Sequence, residues 1–211
     1  MTTISPATMT PEQTYRLLTG IVVPRPIAWV TTRSAAGTTN CAPFSCFTFV
    51  SNAPPMVGIN IGRKAGRLKD TGTNISETGE FVVHIPDESM MEAVHLSAVE
   101  HPAEVDETEV LGLATVPSEQ VGVPRLADPA IALECRFHSA TEYGSTGSRF
   151  VVGEVLAFHV RDDLLVNGKV ETSELAPLAR LGGPVYAGLG RITRLSAVAQ
   201  TPKSTLTTEE Q

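Results

Sequence analysis

Two long runs rich in strand-forming residues, Ile131–Tyr143 and Arg149–Val160, are separated only by Gly144-Ser145-Thr146-Gly147-Ser148. A connection that short returns the chain antiparallel to itself, because parallel neighbours need a crossover of about a dozen residues or more. Shorter runs of β-branched and aromatic residues precede this hairpin, at Pro26–Thr32, Thr39–Val50, Met56–Ile61 and Phe81–Ile85. They are broken by Ser34–Thr38 with Gly37 and by Pro54-Pro55, and a further turn is expected at Asn167-Gly168. Alternation through Thr39–Val50 predicts Ser45, Phe47 and Phe49 on one face, with Phe44, Cys46 and Thr48 on the other. Helical patterns are few. One opens at Pro11 behind a Thr10 N-cap and runs to Leu18; one covers Lys69–Thr78 and stops at Gly79. A third covers Ser89–Val99, with Ser89 as cap and Glu92 three residues on. Strand and helix do not alternate regularly, which excludes a doubly wound α/β fold and predicts a mainly β chain, a β-barrel with helical insertions.

No internal repeat or interdomain linker breaks the pattern. Residues 1–13 read as a mobile N-terminus, 14–195 as one domain and 196–211 as a flexible tail. With 211 residues there is enough chain for a sizeable core. A net charge of −7 argues against a nucleic-acid-binding surface. No apolar stretch approaches the roughly 20 residues that span a bilayer, and no signal peptide is evident, so no membrane association and a cytoplasmic location are expected. Cys41, Cys46 and Cys135 are odd in number and lack a CxxC pair, which argues against a disulfide framework and a structural zinc site. His84, His95, His101, His138 and His159 show no HxH or HExxH spacing, so no metal is expected. A GxSxG elbow is absent, and neither Cys41 nor Cys46 has a local base.

Three segments could carry chemistry. Arg63, Lys64, Arg67 and Lys69 place four of sixteen Lys and Arg residues within one short stretch of an acidic chain. Followed by Asp70-Thr71-Gly72-Thr73-Asn74 near a helix start, they suit a phosphate; they equally suit a solvated loop balancing the acidity. In Asn40-Cys41-Ala42-Pro43-Phe44-Ser45-Cys46-Phe47, a proline interrupts a strand pattern. That marks an edge or bulge whose backbone could meet a flat heterocycle, or simply a barrel strand with one irregularity. Leu181-Gly182-Gly183-Pro184-Val185-Tyr186 allows close backbone approach and aromatic stacking, or is a tight turn.

In order, VPRPIAWVTT (23–32), NCAPFSCF (40–47), PPMVGINIG (54–62), LKDTGTNI (68–75), TGEFVVHI (78–85), FVVGEVLAFHV (150–160) and LGGPVYAGLGR (181–191) resemble the flavin-reductase-like family of FMN-binding split barrels, in its PRPIAWV-type branch. The resemblance spans residues 14–195 and implies a Greek-key antiparallel split barrel acting as a homodimer. It implies FMN rather than FAD as the flavin, and NADH or NADPH as co-substrate. By the same resemblance Asn40, Ala42, Ser45 and Phe47 lie beside the isoalloxazine and ribityl chain; Arg63, Lys69, Thr71 and Asn74 reach the phosphate; Gly182, Gly183 and Tyr186 close the pocket. Arg25 and Trp29 belong to the motif, Trp29 being equally suited to the core, while Lys64 and Arg67 add positive potential. Hydride transfer between stacked rings asks for proximity rather than an acid–base pair, consistent with the absence of a catalytic motif. The implied activity is an NAD(P)H:flavin oxidoreductase, with reduced flavin passing to a monooxygenase component. A flavoprotein electron carrier and a flavin enzyme acting on another small substrate are the alternatives. The acidic connection 100–128 is expected to cover the nicotinamide side of the pocket.

Overall fold

A computed structural model describes residues 1–196 and 198; the tail expected at 196–211 lies almost wholly outside them. Seven antiparallel strands form one sheet: β1 Ala28–Arg33, β2 Thr39–Phe44, β3 Phe47–Asn52, β4 Pro55–Ile61, β5 Glu80–Ile85, β6 Ile131–Tyr143 and β7 Ser148–Val160. Their order is β2-β1-β5-β6-β7-β4-β3. The two edge strands, β2 and β3, are consecutive in the chain and separated only by Ser45 and Cys46. A sheet whose opposite edges are joined by two residues must curl onto itself, and the Asn60 amide donating to the Cys46 carbonyl (2.9 Å) holds the corner. The result is a barrel with helical insertions, as the strand pattern predicted, and a split one, as the resemblance implied. Among the described residues, no helix is long and apolar enough to cross a membrane.

The helices are α1 Pro11–Ile21, α2 Asp70–Thr78, α3 Met91–Leu96, α4 Glu107–Val110 and α5 Thr172–Leu175. At the start of α1 the Thr10 hydroxyl accepts from the Gln13 amide, the cap expected from sequence, and the Gln13 side chain in turn accepts from the Thr10 amide, which makes the cap reciprocal. Helix α2 ends at Gly79 with φ 73°, a left-handed cap that glycine adopts without strain. The third helix corrects the sequence reading: Asp87, not Ser89, caps a short 3₁₀ turn at Glu88–Met90, and α3 follows only to Leu96. An aspartate two residues earlier offers a carboxylate to the Ser89 amide (2.8 Å), a stronger acceptor than a hydroxyl.

Inside the barrel, Ala28, Val30, Phe44, Ile59, Ile61, Phe81, Val83, Leu133, Cys135 and Val151 pack together, with Ile75 of α2 among them. Gly153 permits this packing, since a Cβ there would stand 2.3 Å from the buried Phe81 ring. The alternation expected through Thr39–Val50 does not run through. The bend at Ser45–Cys46 resets its phase, and Phe44 and Phe47 both pack on the barrel interior. Strand β1 is buried on both faces because a second cluster, Ile27, Trp29, Cys41, Val94, Leu126 and Leu178, covers its outside. Trp29 is thus a core residue, 1% exposed, whose indole N–H donates to the Ser97 hydroxyl (2.9 Å).

His84 links β5 to that second layer. The Leu126 amide donates to Nε2 and Nδ1 lies against the Trp29 carbonyl, both at 2.9 Å, which assigns the neutral tautomer with its proton on Nδ1. Complete burial outweighs the Trp29 bond and lowers its pKa to about 4. The unfolded state therefore takes up a proton that the native state refuses, so stability falls as pH drops from 6.5 towards 4. The loss from this group is about 3 kcal/mol. Urea denaturation at pH 7 and pH 4.5 is expected to show a smaller pH dependence in His84→Gln than in the wild type, whatever the absolute stability of the variant.

Candidate functional site

Strand β2 is an edge, and an edge presents unpaired amides. Here those amides are met from α4: the Thr39 amide donates to Asp106 (3.3 Å) and the Cys41 amide to Glu107 Oε2 (2.7 Å). The next residue in that register is Pro43, which has no amide hydrogen. The edge identified from sequence is real, but its amides at Thr39 and Cys41 are already engaged rather than open to a heterocycle.

A cleft of about 850 Å³ lies over this edge. Its walls are Asn40–Phe44 without Cys41, the hairpin and helix start around Lys64–Thr73, and the segment Ser97–Ala103 with Glu107. Helix α2 fixes the first two walls against each other. The Asn40 side-chain amide donates to the Thr71 hydroxyl (2.9 Å), and that of Asn74 donates to Thr32 Oγ1 (3.0 Å), all four residues being buried. The α2 N-cap is Lys69, which offers no side-chain acceptor, so the first-turn amides have no side-chain cap among the described residues.

The basic cluster separates into two pairs. Arg63 is bonded to Glu142 and to the Gly147 carbonyl (3.0 Å), and Lys64 to Glu100 (2.8 Å). Arg67 and Lys69 have no carboxylate partner among the described residues, and both line the cleft at the α2 N-terminus. The Lys64–Glu100 pair ties two walls of the cleft together and holds the Glu100 carboxyl below its usual range. Both partners are half-exposed, so the tie is weak and readily opened.

Of the residues singled out from sequence, Asn40, Ala42, Lys69 and Thr71 line the cleft. Ser45 and Gly183 line a smaller cleft of about 180 Å³ beside it, along with Arg25 and Arg180. Phe47 lines an open groove with Asn60, Tyr143 and Phe150. Arg63 and Asn74 face their hydrogen-bond partners and not the cleft. Tyr186 lies under the Arg180 guanidinium (4.4 Å to the ring centroid), and its hydroxyl is 3.2 Å from His95 Nδ1. Gly182 packs near Gly20, where a Cβ would stand 3.4 Å from the Gly20 Cα. Lys64 and Arg67, expected to add positive potential, line the cleft, as do His101 and Glu107, for which no site role was expected from sequence. The acidic character of the connection 100–128 was visible, but nothing local says that one of its acids folds back onto a strand edge.

Glu107 is 7% exposed. Burial raises its pKa to about 7; the Cys41 amide works against that, and Asp70 and Asp106 reinforce it. Because the folded-state pKa is raised, its contribution to stability is present at low pH and lost as pH rises from 4.5 through 7. Gln keeps the acceptor without the charge. The melting temperature of Glu107→Gln relative to wild type is therefore expected to rise between pH 5 and pH 8; a constant difference would contradict this assignment.

A model of the flavin reductase-like domain matches residues 20–175. A protein from Halalkalibacterium halodurans is 44% identical over 192 residues, covering 89% of this chain and 92% of the relative. A Bacillus subtilis protein is 38% identical, covering 85% and 90%. Among solved structures, component B of a nitrilotriacetate monooxygenase from Bacillus cereus superposes with TM-score 0.90 at 38% identity, covering 92% of this chain and 98% of that one. A 2-nitrobenzoate 2-nitroreductase from Pseudomonas fluorescens gives 0.85 at 33%, covering 97% and 100%. The chain thus belongs to the flavin reductase-like family of split barrels.

Proposed function

We propose that the chain is an NAD(P)H-dependent flavin reductase that binds FMN in the cleft over the β2 edge. The observation that carries this reading is the pairing, in one cleft, of two cations without carboxylate partners among the described residues and a helix start without a side-chain cap with the small and polar side chains of β2. A helix N-terminus with two unpaired cations matches a phosphate monoester in charge and in donors. A cleft of about 850 Å³ is in the range that encloses a cofactor-sized ligand. The donor set therefore fits the flavin nucleotide.

In this reading Lys69, Arg67 and the α2 amides take the phosphate, with Thr71 held in place by Asn40. Asn40 and Ala42 lie along the ring system, and Pro43 leaves that stretch of edge without a competing donor. Arg63 and Asn74 act indirectly, Arg63 by anchoring the hairpin to the β6–β7 turn and Asn74 by fixing α2 on β1. Of the connection 100–128, residues 100–103 and Glu107 line the cleft, and with Ser97–Val99 they shield the nicotinamide side, the Lys64–Glu100 tie fastening the middle of this cover. A bound flavin would supply the redox chemistry, hydride acceptance from a nicotinamide and onward electron transfer. The protein's part is to orient the two rings and exclude water. The likeness to a monooxygenase component supports delivery of reduced flavin to a partner oxygenase. The likeness to a nitroreductase supports a second reading, in which bound flavin reduces a small substrate directly. Exposed Phe49 and Val50 on the β3 edge support a homodimer, since apolar edge strands invite pairing. Phe49→Glu is expected to shift the sedimentation coefficient to that of a monomer.

FMN titration and absorption spectra test the assignment together. NADH or NADPH is expected to bleach the flavin band in turnover. Lys69→Gln is expected to weaken FMN affinity about tenfold or more, the worth of one charge-assisted hydrogen bond. Stoichiometric bleaching without turnover would favour a bound prosthetic group, and no bleaching with either nucleotide would remove the reductase reading.

A further inference from the structure

Beside the main cleft, and sharing Pro43 and Ala98 with it, lies the smaller cleft of about 180 Å³. It contains two guanidinium groups. Arg25 is 7% exposed. Its Nε donates to the Ser45 hydroxyl (3.2 Å), one terminal nitrogen to the Thr19 and Val22 carbonyls (2.7 and 2.6 Å), and the other to the Leu181 carbonyl (2.8 Å). Of five N–H donors these bonds use four, leaving one on the Leu181-bound nitrogen. Arg180 is half-buried; its Nε donates to the Gly183 carbonyl (2.8 Å) and one terminal nitrogen to the Tyr186 hydroxyl. The second terminal nitrogen has no partner among the described residues.

Every one of these acceptors is neutral. No carboxylate among the described residues pairs with either arginine. The Thr19 and Val22 carbonyls belong to the end of α1, whose dipole offsets roughly half a unit of charge at most. A buried guanidinium and a second one beside it, with that little compensation, leave a net positive cleft in an acidic protein. The carbonyls hold both groups in place, so their unused donors are preorganised and do not need to be gathered by a ligand. The volume is below that of pockets that enclose whole ligands, so it suits one charged group whose body extends past Pro43 into the larger cleft.

We propose that Arg25 and Arg180 form an oxyanion subsite that takes the carboxylate or phosphate group of a ligand lying in the main cleft. The subsite is separate from the cations at the α2 N-terminus and does not depend on bound flavin. Ser45 is then a positioning residue for Arg25, and Tyr186 for Arg180.

Calorimetric titration of the full chain, without flavin, with benzoate and separately with inorganic phosphate tests this. Saturable binding of at least one is expected, weaker at high salt. Arg180→Gln, at a half-exposed position where folding is tolerant, is expected to weaken it about tenfold; Arg25→Lys provides a second variant. Benzoate alone binding would assign the subsite to carboxylates, and phosphate alone to phosphate esters. Lys69→Gln is expected to lower FMN affinity and leave benzoate affinity unchanged. Absence of saturable binding by either anion, unchanged affinity in a folded Arg180→Gln, or an equal loss in Lys69→Gln would each overturn the proposal, whatever the outcome for FMN.

Discussion

The edge of β2 organises the molecule around it. Because β2 and β3 are opposite edges of one sheet and also neighbours in the chain, the sheet closes on itself and leaves a seam at Ser45–Cys46. An edge facing a cleft cannot leave its amides unpaired, and three devices deal with them: Asp106 and Glu107 receive the Thr39 and Cys41 amides, and Pro43 has none to offer. Asp106 caps and Glu107 opens a four-residue helix that would have no reason to persist alone, being far shorter than an autonomous helix. It is held by the edge it covers. The same contact carries Glu107 to the cleft wall, where burial and neighbouring acids make its carboxyl titrate near neutrality.

Charge in this protein is arranged by contrast between paired and unpaired groups. Arg63 and Lys64 are neutralised by Glu142 and Glu100, and Glu134 beneath the 115–126 loop receives the Glu119 and Gln120 amides and His159. Burial alone would push the Glu134 carboxyl up, yet those hydrogen bonds outweigh it and hold the pKa below the ordinary value. Arg67, Lys69, Arg25 and Arg180 stand outside this pattern, each lining a cleft and having no carboxylate partner among the described residues. Structural ion pairs satisfy themselves; cations left unpaired at concave surfaces are where an anionic ligand gains most.

The core has two layers with the β1–β2 wall between them. Barrel-facing residues of β1, Ala28 and Val30, meet the interior, while Trp29 and Ile27 meet the outer cluster under α3. Trp29, through Ser97, and His84, through Leu126, tie these layers by hydrogen bonds as well as by packing. The wall that carries Asn40 and Ala42 is consequently rigid, whereas the wall at 97–107 is anchored at its two ends, by Ser97 on Trp29 and Glu107 on Cys41, and tied between them by the surface Lys64–Glu100 pair. A stiff platform facing a cover whose middle is weakly tied suits a site that must admit and release ligands.

Local sequence determined the strands, the β6–β7 hairpin, the α1 capping box and the Gly79 stop, since each depends on residues within one turn or one pleat of each other. The family was legible in the ordered motifs, and the crowding of Arg63, Lys64, Arg67 and Lys69 was visible as a candidate phosphate cluster. Tertiary structure decided which of those four remain unpaired, because Glu142 and Glu100 lie far away in the chain and only folding brings them close. It also reset the strand phase at Ser45–Cys46, drew Glu107 onto the β2 edge, and turned Asn74 inward to Thr32. Spacing along the chain carries local geometry, but the partner that neutralises a charge, or leaves it free, is chosen by contacts between segments remote in sequence.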